Sequence, residues 1–374
     1  MKTLIKLIIF FAISACILTQ NIYASERIKI GLIVPLSGDN FLVGESIVKS
    51  IRMAVNKIND KRIEIILKDT KSNPIDTLKV SKELHKQGVR IIIGPVFNEN
   101  TKYLDDLKDV VFISFTNKLI GNPKNVISAG VNAISQIQTI KKFNEKKNLS
   151  KSIFLIPRSE FKREIELAID KTNIKHKEVF YYDREPTKLT KQIEEITNYK
   201  IRKQNLDNEI KRIKNSNDPN KEKKIKKLEK KYSLGGLNFD AVVIADFDES
   251  LKSVTTSLLY TDVLPENKFF ITLNQWFDES LLYETDIQPL YYPSINKDNF
   301  DSYKIKYFNA FNKDPTHLSL LSYDLVGLVY YLSLNSDIKN LNKIFKKKNS
   351  FKGKIGIFDI KNNKINHRLN FYKV

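Results

Sequence analysis

Short β-branched runs alternating with longer amphipathic stretches predict an α/β chain built as two similar halves, each a parallel sheet flanked by helices. Three observations carry this expectation. The alternation starts at Ile28 and runs to Phe115; it restarts at Ser152; and a charged helical stretch from Pro186 to Gly236 interrupts the second half. Repeated strand–helix–strand units imply parallel strands joined by right-handed crossovers. In such sheets a ligand lies beyond the carboxyl ends of the strands, where the following loops collect.

In order, residues 28–35 (IKIGLIVP) read as a strand, and residues 44–59 carry apolar Ile47, Val48, Ile51, Ala54, Val55 and Ile58 at helical spacing. A strand at 63–67, a helix at 76–87, a strand at 89–93, a short helix at 103–107 and a strand at 110–115 complete the first set. The second set comprises strands at 152–156, 178–182, 241–245 and 269–273, with helices at 161–171, from 189 onward and at 249–259.

Before the first strand, Lys2 and Lys6 precede an apolar run from Leu7 to Leu18, and Ile22-Tyr23-Ala24 suits a cleavage point. This layout predicts a secretory signal at residues 1–24, because the run is too short to span a bilayer. Ile13-Ser14-Ala15-Cys16 also fits the pattern read before a lipid-modified cysteine, so two outcomes stand: cleavage near Ala24, or lipidation of Cys16 with membrane contact through the lipid. Either way the expected location is the periplasm. Cys16 is the single cysteine, which excludes an intramolecular disulfide and any cysteine-based metal cluster.

The chain of 374 residues has 63 Lys and Arg against 43 Asp and Glu, a net charge of +20, with 41% hydrophobic residues. That apolar content supports packed cores rather than disorder. Fifteen of the basic residues and seven acidic ones lie in 186–236, giving this segment +8. Leu189, Ile193, Ile196, Leu206, Ile210, Ile213, Ile225, Leu228 and Tyr232 keep three- and four-residue spacing, and Asn215–Asn220 suits a turn, so the segment is expected to form a projecting helical hairpin. It reads as a solvated lysine-rich excursion or as a docking arm for an anionic surface or partner protein. The basic residues form no aromatic-interleaved surface, which with export argues against nucleic acid as a partner.

No motif for catalysis is present. His85, His176, His317 and His367 are isolated in sequence, and there is no H-E-x-x-H, G-x-S-x-G, G-x-x-x-x-G-K-[ST], or G-x-G-x-x-G after the first strand. The expectation is a protein that is not an enzyme and needs neither metal nor cofactor.

Residues 30–60, 67–96 and 110–121 resemble the leucine-binding family of type I periplasmic binding proteins, and within it the branch of penicillin-binding-protein activators. That branch is similar in its charged helical insertion before FDAVVIAD (239–246) and in NQW (274–276), while residues 351–374 resemble the family's closing β-ribbon. The resemblance implies two Rossmann-like lobes joined by a three-strand hinge, with a ligand in the cleft. Lobe one would comprise 27–132 and 289–347. Lobe two would comprise 133–288 and 348–374, with the basic hairpin 186–236 inserted in it.

The same resemblance implies cleft positions that hold an amino acid's carboxylate on hydroxyls and N–H groups and its ammonium on a carboxylate. These map to Ser37, Asn98, Ser114, Thr116, Phe161, Asp246, Phe247 and Trp276. Ser37-Gly38 also reads as a helix-entry turn, Asp246 as a helix cap and Trp276 as interlobe packing. Asn98 and Glu99 replace the family's small hydroxyl residues, and Phe161-Lys162 replaces its Tyr-Gly. The function implied is capture of a small polar solute, an amino acid or amide, for an ABC permease. The alternative is an envelope protein that docks on a cell-wall synthase.

Overall fold

In the computed structural model, which describes residues 27–335, 345, 348–354 and 356–374, strand β1 (Ile28–Val34) buries every residue except Lys29. Its nearly unbroken apolar run is what a parallel strand covered on both faces requires. Residues 1–24 and Cys16 lie outside the described residues.

Helix α1 (Phe41–Ile58) leads to β2 (Ile63–Asp69), and α2 (Pro74–Lys86) to β3 (Ile91–Ile93). The start of α2 is set locally: the Asn73 side chain accepts from the N–H groups of Ile75 and Asp76, and Pro74 has no N–H to leave unpaired. The helix expected at 103–107 is instead two short 3₁₀ turns, Asn98–Thr101 and Leu104–Asp106, before β4 (Val111–Ser114) and β5 (Val126–Ser128). These five strands are parallel in the order β2-β1-β3-β4-β5.

Helix α3 (Ala133–Lys147) carries the chain to the second sheet, where β6 (Ser152–Pro157), α4 (Lys162–Thr172) and β7 (Glu178–Tyr182) follow. Residues 186–236 hold three helices rather than two: α5 (Pro186–Ile196), α6 (Tyr199–Lys214) and α7 (Lys221–Leu228). Leu189 and Ile193 of α5 are buried in the lobe-two core, so α5 is the crossover helix and only α6 and α7 form the hairpin. The two differ because α5 has a core-facing apolar stripe, whereas α7 buries no residue.

After β8 (Ala241–Ile244), α8 (Asp248–Tyr260), β9 (Phe269–Thr272) and the single turn α9 (Ser280–Tyr283), β10 (Leu290–Ser294) pairs with β9. The chain then returns to the first lobe with α10 (Lys297–Phe311) and α11 (His317–Asn335). By length and composition residues 317–334 could cross a bilayer, yet α11 is a core helix here: Leu320, Leu325, Val326, Leu328 and Val329 are buried against β1 and α1 residues. A polar seam fixes it there. Ser50 donates to the Ser319 carbonyl at 2.5 Å, and Tyr303 donates to Ser50 Oγ at 2.7 Å.

The antiparallel strands β11 (Asn349–Lys352), β12 (Ile357–Lys361) and β13 (Lys364–Arg368) form a small third sheet, and β14 (Asn370–Lys373) pairs antiparallel with β10. The second sheet thus runs β14-β10-β9-β8-β6-β7. Successive residues of its strands serve opposite faces: Ile153, Leu155, Val242 and Ile244 pack with Leu189, Val254 and Leu258, while Phe154, Ile156 and Val243 pack with Ile137, Ile165 and Ile169. Each such large side chain contributes about 1.5–3 kcal/mol on burial.

Where the chain passes between lobes, side chains lock the crossings together. Asn132 Nδ2 donates to the Ile365 carbonyl at 2.8 Å, and the His367 N–H donates to Ser135 Oγ at 2.9 Å.

Candidate functional site: the cleft between the lobes

Loops that follow β3, β4 and β5, together with the start of α11, face loops that follow β6, β8 and β9. Between them lies a cavity of about 470 Å³, within the range of small-molecule sites. From lobe one it is lined by Phe97, Asn98, Phe115, Thr116 and Leu321, and from lobe two by Gln136, Phe247, Asn274 and Trp276. Gly130 also lines it: a β-carbon there would come within 2.7 Å of the Phe115 carbonyl and 2.8 Å of the Thr116 carbonyl, so only glycine lets the crossing pass this close.

The polar walls are mostly engaged. Gln136 Oε1 accepts from the Asn274 N–H at 2.8 Å, and its amide donates to the Val131 carbonyl at 3.2 Å. Asn274 Oδ1 accepts from the Trp276 N–H and from Ser294 Oγ. These contacts fix the orientation of the Asn274 amide and leave its Nδ2 buried without a partner. Asn98 Oδ1 is likewise buried without a partner. The cleft thus has a wall of aromatic rings, two asparagines that each carry a buried unpartnered atom, and charged Glu99, Lys118 and Glu160 in its lining.

Three contacts hold the two lobes together over this cavity. Trp276 stacks on His317 with ring centroids 4.7 Å apart. Lys118 pairs with Glu160 at 2.8 Å, and Lys118 holds the Glu160 carboxyl below its usual range. The buried Glu164 of α4 accepts at Oε1 from the N–H groups of Leu119 and Ile120, both at 2.9 Å. Trp276 and Phe277 adopt φ of 50° and 61°, left-handed backbone that costs non-glycine residues of order 1–3 kcal/mol each. With this backbone the indole lies on His317.

Of the eight residues marked from sequence, Asn98, Thr116, Phe247 and Trp276 line the cavity, and the other four do not. Ser37 donates its hydroxyl to Asp69 at 2.6 Å on an exposed loop. Ser114 is wholly buried and donates to the Pro95 carbonyl at 2.8 Å. Phe161 is half exposed, with Lys118 Nζ over its ring at 5.4 Å. Asp246 is buried and already neutralised. Arg184 grips it with two bonds of 2.7 and 3.0 Å, and Tyr182 donates to it at 2.6 Å. Burial, with the Asp246 carboxylate alongside, pushes the Tyr182 phenol well above its ordinary range.

Sequence reasoning missed Gln136, Asn274 and His317. Asn274 stood inside the quoted NQW segment, whereas nothing local marked Gln136 or His317, whose roles arise only when distant elements meet.

Residues 27–173 match the model of a family described as periplasmic binding protein. A putative branched-chain amino acid ABC transporter protein from Rhodospirillum rubrum superposes with a TM-score of 0.69 at 10% identity, covering 93% of this chain and 97% of its own. The fold is that of the type I periplasmic binding proteins. Two further structures of this fold show its breadth. The C-domain of LpoA (YraM) from Haemophilus influenzae, a regulator of PBP1A, superposes with a TM-score of 0.62 at 13% identity over 92% of this chain and 96% of its own. LivJ from Streptococcus pneumoniae, a branched-chain amino acid transporter substrate-binding protein in complex with isoleucine, gives a TM-score of 0.50 at 17% identity, covering 93% of this chain and 100% of its own. No curated protein matches the sequence significantly.

Proposed function

We propose that this chain is a non-enzymatic, exported binding protein that encloses a small neutral solute bearing an amide or similar donor–acceptor pair in the interlobe cleft. The observation that carries the reading is the pair of buried, unpartnered polar atoms, Asn274 Nδ2 and Asn98 Oδ1, on two residues that line an aromatic-walled cavity formed by both lobes. Burying such atoms unpaired costs about 1–3 kcal/mol each, so a solute that answers both recovers that cost. A free amino acid fits less well than an amide, because Asp246, the carboxylate marked for its ammonium, is held by Arg184. The partner in this reading is an ABC permease, and lobe closure is the mechanism.

Isothermal titration of the purified protein with a panel of small amides and amino acids tests it. Heat with amides that is lost in Asn274→Ala is the expected result; silence across the panel overturns it.

The Arg184–Asp246 pair also favours a second reading, an envelope docking protein that meets a cell-wall synthase and uses its lobes as a scaffold. In that case the hairpin of α6 and α7, not the cleft, makes the contact. The deletion that separates the readings removes residues 206–230 and spares the core helix α5.

A further inference from the structure

A second cavity, of about 410 Å³, lies away from the cleft at the β5 edge of the first sheet, beneath the turn between β12 and β13. Its walls include Lys108, Lys124 and Lys364 and no carboxylate. Among the described residues none of these three lysines takes part in a salt bridge. Four asparagines line it as well, and three of them, Asn122, Asn125 and Asn363, are pinned in the same sense. Asn125, 8% exposed, spends its amide N–H groups on the carbonyls of Leu104, Leu107 and Val110 at 2.8–3.2 Å. Asn122 donates to the Lys118 carbonyl and to Ser128 Oγ, both at 2.7 Å, and Asn363 donates to the Lys124 carbonyl at 3.4 Å. Each leaves its Oδ1 buried without a partner.

Three unspent acceptors alone would suit a cation, but the three lysines in the same lining oppose one. The combination suits a ligand that brings hydroxyl donors and a negative charge together. We propose that this pocket binds a small polyhydroxylated anion, a sugar acid or sugar phosphate, with the lysines on its acidic group and the asparagine oxygens on its hydroxyls.

The test is calorimetric titration of the purified protein with glucuronate and glucose 6-phosphate, with inorganic phosphate and glucose as controls. Binding of at least one sugar anion, weakened tenfold or more in the triple variant Lys108→Gln, Lys124→Gln, Lys364→Gln and unchanged in Trp276→Ala, is expected. The lysines are exposed, so the variant keeps the fold, and its unfolding midpoint verifies this. No binding of either sugar anion, equal affinity in the triple variant, or inorganic phosphate binding as tightly as the sugar phosphate would each overturn the assignment. Loss in Trp276→Ala would move the ligand to the cleft and overturn it as well.

Discussion

Asp246 shows how far a single side chain can be read before its neighbours are known. It follows β8 in a loop at the carboxyl end of the sheet, the place where a ligand-binding carboxylate belongs. What sequence does not reveal is that Arg184, at the corresponding end of β7, and Tyr182 reach the same carboxylate. Thr116, Phe247 and Trp276 sit in equivalent loops and do line the cleft, so position relative to the strand ends was legible. Which side chain in each loop turns inward was not, because packing from the opposite lobe decides it. His367 supplies a measurable case at this scale. Burial among β13, β5 and α3, only partly offset by its bond to the Ala129 carbonyl at 2.7 Å, lowers its pKa to about 4. The unfolded chain, with a histidine near the ordinary value of 6.5, therefore binds more protons between these limits. Its contribution is fully present above pH 6.5 and is lost as pH falls toward 4. The expected loss is up to about 3 kcal/mol, and chemical unfolding across this range should show a flatter acid limb in His367→Gln than in the parent.

Among elements, the hairpin of α6 and α7 is attached through a polar anchor, Arg202, beside the buried Tyr199, Leu206 and Ile213. Arg202, buried at the base of α6, donates to the Thr261 carbonyl at 2.9 Å and to Ser233 Oγ at 2.6 Å, and lies 3.5 Å from the Asp262 carboxylate. Burial pulls its pKa below the ordinary arginine value, with Asp262 opposing that shift. Periodicity in the sequence foretold helices on both sides of the Asn215–Asn220 turn, because apolar spacing is a local property. It did not separate α5 from the hairpin, since both carry the same spacing and only contact with Val254 and Leu258 makes α5 part of the core. Arg202→Met should cost about 1–3 kcal/mol through the polar groups left unpaired. Limited proteolysis should then cut within residues 203–231 at least tenfold faster, while the lobes persist as a resistant fragment. Unchanged cleavage would show that the hairpin is held by other contacts.

For the whole molecule, the decisive contacts join the lobes. Glu164 holds the backbone of Leu119 and Ile120 across the gap, and Trp276 lies on His317. Glu164→Ala combined with Trp276→Ala should shift the population toward an open arrangement with little change in either core. Small-angle scattering would register this as a larger radius of gyration, and an unchanged radius would mean that the crossings alone set the closed geometry. The two-lobe α/β plan was legible because alternation of strands and helices is written along the chain. The return of α10 and α11 to the first lobe, expected from the assignment of 289–347 to lobe one, came only from the resemblance and not from the pattern, since the α11 segment is apolar over most of its length and carries no amphipathic stripe that names its partner.

That return has a consequence for how the protein comes to be folded. The core around β1 includes Ile365, and the second sheet takes its edge strand from residues 370–373. Neither lobe can close its hydrophobic interior while residues beyond about 360 are still on the ribosome. Contacts between positions up to 275 residues apart must form late, and such non-local pairing slows folding. Until residues 365–373 are in place, neither core of this topology is complete, so the two lobes finish as one cooperative event rather than one after the other.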